Sequence, residues 1–136
     1  MPEPSATGRC LCGAITYELH GELRDVIVCH CVECRRWHGT SGAYTTTATR
    51  DDLAVSDPEG VLRWIRSPQS VTDADRGFCE RCGSSLFWRA PRDGTVSVAA
   101  GTLDGVTGLR TVEHIWESQR ADWEADDGLP RLPYGT

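Results

Sequence analysis

Seven cysteines in 136 residues fall into three tight groups: Cys10-Leu11-Cys12-Gly13, Cys29-His30-Cys31-Val32-Glu33-Cys34 and Cys79-Glu80-Arg81-Cys82-Gly83. Thiolates at such short spacings converge readily on a soft metal ion such as zinc. A structural zinc takes four ligands in a closed tetrahedron, whereas a catalytic zinc keeps three and leaves one position open. Two pairs and a triplet divide naturally into Cys10, Cys12, Cys79 and Cys82 around a structural zinc, and Cys29, Cys31 and Cys34 around a second, open zinc. The glycine after each pair supports this division. A ligand pair on a tight turn aims its backbone N–H groups at the sulfurs, and glycine tolerates the positive φ such a turn demands. A second division, Cys10, Cys12, Cys29 and Cys31 against Cys34, Cys79 and Cys82, satisfies the same count. So does a triplet that is only three buried thiols. On a strand, residues i and i+2 share a face, so Cys29 and Cys31 converge while His30 points away and is not expected as a ligand.

An odd number of cysteines cannot all pair as disulfides. The opening Met1-Pro2-Glu3-Pro4-Ser5 has neither the basic stretch nor the apolar run of a secretory signal, so a reduced, cytoplasmic setting is expected, where clustered cysteines mean metal or catalysis. No apolar run approaches the length of a membrane span. Fourteen basic residues, all arginine, against twenty acidic ones give a net charge of −6 and a pI near 5.1. That balance offers no basic footprint for nucleic acid and nothing to draw the chain to an anionic membrane.

The elements that must position these cysteines are short and mostly extended. Leu, Ile, Val and Phe make up about a fifth of the chain, a thin supply for a core. Ile15, Tyr17 and Leu19 alternate with polar or small neighbours, as on a half-buried strand. Val26–Val28, Ala43–Thr49, Val61–Arg66, Gly77-Phe78, Ser85–Trp88, Thr95–Ala99 and Val112–Trp116 continue the β pattern. Asp57-Pro58-Glu59-Gly60 is a turn, and Arg50–Leu53 reads as another. Val32–Trp37 is long enough for a turn and a half of helix. Residues 1–8 read as a loose polar lead-in. Many short strands with Gly, Pro and Asp turns imply one mainly β domain over 1–136. A zinc joining Cys10 and Cys12 to Cys79 and Cys82 would staple it, since a clip across a long loop removes the most chain entropy.

Through GRCLCGAITYEL, CHCVECRRWHG, GFCERCGSSLFWR, VSVAAGTLD, HIW and the tail with Trp123 and Asp126–Pro130, the sequence resembles the glutathione-dependent formaldehyde-activating enzyme family, which includes centromere protein V. The likeness runs from Gly8 to about Pro130, and the chain resembles the short bacterial members. It implies a β-tent of short antiparallel sheets, a closed four-cysteine zinc and a second zinc on the triplet. It also implies carbon–sulfur lyase chemistry on a thiol–aldehyde adduct such as S-hydroxymethylglutathione, with glutathione or a similar small thiol as partner. The alternatives are a non-catalytic, zinc-stabilised binding module and a thiol or metal sensor.

A thiol adding to a carbonyl needs a proton shuttle, and His38 and His30 are the candidates nearest the triplet in sequence. Arg35 and Arg36 are candidates for bidentate contacts to a substrate's carboxylates, or simply a solvated helix face. His114 and Trp116 are expected on one face of a strand, as sheet packing or as a pair lining the cleft beside the triplet. Glu117, Asp122, Glu124, Asp126 and Asp127 are expected to form a solvated acidic rim.

Overall fold

The computed structural model describes residues 3–135, so the domain expected over 1–136 extends beyond the described residues at both ends. The chain passes through β1 (Ala6–Arg9), β2 (Thr16–Leu19), β3 (Val26–Cys29), helix α1 (Val32–His38), β4 (Ala43–Thr49), β5 (Leu53–Ser56), β6 (Leu62–Arg66), β7 (Asp75–Cys79), β8 (Ser85–Arg89), β9 (Thr95–Ala99) and β10 (Thr111–Ile115). No helix among the described residues is long and apolar enough to cross a membrane.

Two sheets form. β1, β2 and β5 make a three-stranded antiparallel sheet, and the other seven strands run in the order β10-β3-β4-β9-β8-β7-β6. The alternation in β2 buries Tyr17 and Leu19, while β8 and β9 turn Leu86, Phe87, Val96 and Val98 inward; with Ile15 and Ala48 these form the core between the sheets. Cys10 and Cys79 belong to the same cluster, so the ends of β1 and β7 meet inside it. The mainly β class expected from the sequence is the one observed. Within the large sheet β10 pairs with β3 in parallel, the others antiparallel, because β10 follows a long excursion after β9 and docks beside a distant strand.

Two expectations need correction. Residues 6–9 are not a loose lead-in but strand β1, and Leu53–Ser56, beyond the turn at Arg50–Asp52, is strand β5. Both flank β2 as edge strands; β1 carries no apolar alternation, and in β5 Leu53 and Val55 alternate but Leu53 is only half-buried and Val55 is exposed. β1 is held by close approach. A Cβ added at Gly8 would run into the Tyr17 ring and lie 2.6 Å from the Thr102 carbonyl oxygen. Tyr17 cannot yield, since its hydroxyl pairs with Thr102 Oγ1 at 2.6 Å and its ring meets Phe87 edge-on. Gly8→Ala is therefore expected to destabilise the protein by about 1–3 kcal/mol, the cost of overpacking a fitted contact, as a lowered denaturant midpoint with unchanged m-value.

Candidate metal centre

The turn from β1 into β2 and the turn from β7 into β8 are built alike. In the first, Gly13 N–H donates to the Cys10 carbonyl at 3.1 Å and Gly13 takes φ 78°; in the second, Gly83 N–H donates to the Cys79 carbonyl at 2.7 Å and Gly83 takes φ 79°. Leu11 N–H donates to Ser84 Oγ at 2.9 Å and ties one turn to the other. The four thiols of Cys10, Cys12, Cys79 and Cys82 then lie within 4.8 Å of one another. Cys10 and Cys12 sulfurs are 3.6 Å apart, and Cys12 and Cys79 sulfurs 3.8 Å. A tetrahedral zinc with bonds of about 2.3 Å sets its sulfurs roughly 3.8 Å apart, so the donor set fits that ion. Ile15 N–H points at Cys10 Sγ at 3.4 Å, as expected for backbone amides cradling a thiolate. Burial pushes the Cys79 thiol up to about 11. At Cys82 burial works in the same direction, but the Ser84 hydroxyl and backbone N–H groups of Ser84 and Cys12 outweigh it and bring the thiol down to about 5.

The triplet is assembled where β3 ends and α1 begins. Cys29 closes the strand, Cys31 is the N-cap of the helix, and Cys34 sits in its first turn, with Cys34 N–H directed at Cys31 Sγ at 3.4 Å. All three sulfurs lie within 4.8 Å of one another, and only Cys34 is buried. This set accommodates one ion with a coordination position to spare. The second division of the cysteines considered above is not the one the chain brings together. Cys31 holds the favoured thiolate, brought down to about 2 by hydrogen bonds from the Cys29 and Cys34 thiols.

Arg76 reaches Cys34 from β7. Its Nη1 and Nη2 both lie 3.7 Å from Cys34 Sγ, and its Nε donates to Ser67 Oγ at 3.0 Å. Ser67 Oγ in turn donates to Glu33 Oε1 at 2.6 Å, and Gln69 N–H donates to Glu33 Oε2 at 2.8 Å. Arg76 also lines a small cleft, about 210 Å³ including the solvent at its mouth, with Trp37, His38, Ser85 and Trp88. His38 ends α1 in this wall, and burial, helped by the positive charge of Arg76, holds its imidazole below the ordinary histidine value. Trp37 Nε1–H donates to Ser85 Oγ at 2.6 Å, which fixes the indole. Arg35 instead donates to the Gln119 carbonyl at 2.9 Å, and Arg36 is exposed.

A third cluster was not legible in the sequence. His30, fully buried, faces the Ser41 carbonyl and Glu124 with Nδ1, at 2.8 and 3.1 Å, and meets His114 Nδ1 with Nε2 at 2.7 Å; His114 Nε2 reaches Asp127 at 2.8 Å. Glu124 is not part of a solvated rim. Its side chain is 7 % exposed and is paired with Arg120 at 3.1 Å and Arg131 at 2.7 Å. Two nitrogens already sharing a hydrogen bond, beside a carboxylate claimed by two guanidinium groups, make a poor cation site; they tie the triplet loop to β10 and the tail. Trp116 does not share a face with His114, because it leaves β10 at φ 57° and packs edge-on to Tyr134. His30 and His114 are single residues on short strands, and nothing local marks them as partners 84 positions apart.

A model of the family described as glutathione-dependent formaldehyde-activating enzyme matches residues 5–119. The chain is 32% identical over 85 residues to an uncharacterised lyase of Schizosaccharomyces pombe, a match covering 62% of this chain and 58% of that protein. It thus spans less than two thirds of that relative's length. Among solved structures, a Rhodobacter sphaeroides protein superposes with a TM-score of 0.60 at 28% identity, over 74% of this chain and 89% of that one.

Proposed function

We propose that this chain, which belongs to the glutathione-dependent formaldehyde-activating enzyme family, is a zinc-dependent carbon–sulfur lyase that makes and breaks the adduct of a small thiol with an aldehyde. The substrate proposed is S-hydroxymethylglutathione, formed from glutathione and formaldehyde in the cytoplasm. Cys10, Cys12, Cys79 and Cys82 hold a structural zinc, and Cys29, Cys31 and Cys34 hold a second zinc. The observation that carries this reading is the convergence of three sulfurs, one fewer than a closed zinc site takes, near a cleft walled by His38 and by the Arg76 that contacts Cys34. A closed binding module has no use for an under-coordinated ion.

Bound at the triplet, zinc supplies a Lewis acid that lowers the pKa of a thiol and polarises an oxygen. The chain's own residues do the rest. His38, kept neutral by burial, accepts the proton of the incoming thiol. The sulfur lone pair forms the bond to the carbonyl carbon, the C=O π pair moves onto oxygen, and that oxygen takes the proton back from His38. The lyase direction reverses each move. Trp37, fixed by its hydrogen bond to Ser85, and Trp88 form walls of the small cleft proposed to receive the aldehyde.

Exchange NMR on formaldehyde with glutathione tests this, with the spontaneous rate subtracted. Zinc-loaded protein is expected to raise the exchange rate above background, and His38→Gln to remove about 10²-fold or more of that increment, the usual share of general acid–base catalysis. No enhancement with glutathione or any other low-molecular-weight thiol would overturn the lyase reading in favour of a zinc-stabilised binding module.

A further inference from the structure

Arg76 is a buried cation without a carboxylate of its own. It is 5 % exposed, and among the described residues it makes no ion pair with Asp or Glu. A guanidinium removed from water with no counter-charge is costly, so its environment must supply one. Both terminal nitrogens are aimed at a single atom, Cys34 Sγ, at 3.7 Å each. That is the fork by which arginine grips an anion, turned here on a sulfur. The fork cannot swing away. Its Nε is held by Ser67, itself 2 % exposed, and Ser67 is anchored to Glu33, which lies on α1 between Cys31 and Cys34. The ring of contacts from Cys34 through Arg76, Ser67 and Glu33 returns to the same helix turn.

We propose that Arg76 is a positioning residue of the three-cysteine site: its anchored fork orients Cys34 Sγ in the site, and its charge offsets the negative charge that three metal-bound sulfurs would carry, so that an anionic sulfur ligand can enter the open position. This rests on the reading of Cys29, Cys31 and Cys34 as metal ligands. Three thiolates around a divalent ion leave one surplus negative charge, and a fourth thiolate would add a second in a partly buried place. The fixed charge of Arg76 cancels one of them. The site is thereby biased toward a soft anion such as a glutathione-type thiolate.

Cobalt tests the inference by spectroscopy, independently of activity. With the four-cysteine site held by zinc, Co2+ added to the triplet reports each thiolate through its sulfur-to-metal charge-transfer absorption, competition with a chelator measures affinity, and titration with 2-mercaptoethanol measures entry of a fourth sulfur. Arg76→Met is expected to weaken Co2+ binding at the triplet by about 10–100-fold, as loss of an outer hydrogen-bond partner does, and to weaken thiol entry about tenfold or more. Arg76→Lys, which keeps the charge but not the fork, is expected to restore thiol entry while Co2+ binding stays weakened. A purely structural role would not separate Lys from Met in this way. Wild-type affinities in Arg76→Met would overturn the inference and leave the metal reading standing. Wild-type protein that takes no Co2+ at the triplet would overturn both. Should Arg76→Met fail to fold, Arg76→Lys decides alone, and unchanged Co2+ affinity in it contradicts the role of the fork.

Discussion

Cys82→Ser is expected to cost the protein its fold. A structural zinc binds with roughly 10–16 kcal/mol of apparent free energy, and since its site does not exist in the unfolded chain, that energy is folding energy. The whole stability of a domain is on the order of 5–15 kcal/mol, so weakening this one ion removes most of it. The core is thin and cannot compensate: Cys10 and Cys79 lie inside it, and the clip closes 67 positions between Cys12 and Cys79. Chain opening at the two turns would release β1 from β2 and part the sheets. Circular dichroism with metal analysis checks this. Insoluble or molten protein is the expected result, and a Cys82→Ser variant with wild-type melting temperature and a full zinc complement contradicts the assignment.

Cys31→Ala is expected to do the opposite, removing activity and leaving the fold. Cys29 and Cys34 alone make a poor two-ligand site, while the clip between the sheets lies elsewhere. Cys31 is only partly buried, so its truncation opens no large cavity. Its loss does remove the N-cap contact to Cys34 N–H, and a cap is worth about 1 kcal/mol. A melting temperature lowered by a few degrees is therefore expected, with one zinc retained and no thiol–aldehyde exchange above background. Retained activity at one zinc per chain would place the chemistry outside the triplet.

Much of this arrangement was legible in the residues. Short cysteine spacings followed by Gly13 and Gly83 mark two matching turns, and the structure sets those turns side by side. Thr95–Ala99 emerged at its expected bounds, while the alternating stretch Gly13–Leu19 is a strand only over Thr16–Leu19, because Gly13 is spent on the cysteine turn. What lacked a signal was whatever depends on distant partners. β1 and β5 are edge strands that borrow their order from β2; β1 has no apolar alternation and β5 has only Leu53 and Val55. Arg76 stands in Asp75-Arg76-Gly77, where nothing local distinguishes it from a surface arginine; only folding brings it onto a sulfur 42 positions away. The tail misled for the converse reason. Its density of acidic residues reads as solvated, yet Glu124 folds under beside His30 because the guanidinium groups of Arg120 and Arg131 are gathered there.

Central to the proposed function are two sites of different kinds, one closed and structural, one open and reactive. Native mass spectrometry during stepwise chelation, read together with circular dichroism, measures that directly. The predicted course is two zinc ions per chain at the start, the triplet ion released first with the β signal intact, and the second released only as the fold collapses. A protein that never carries more than one zinc, or that loses both in a single step with unfolding, would contradict it.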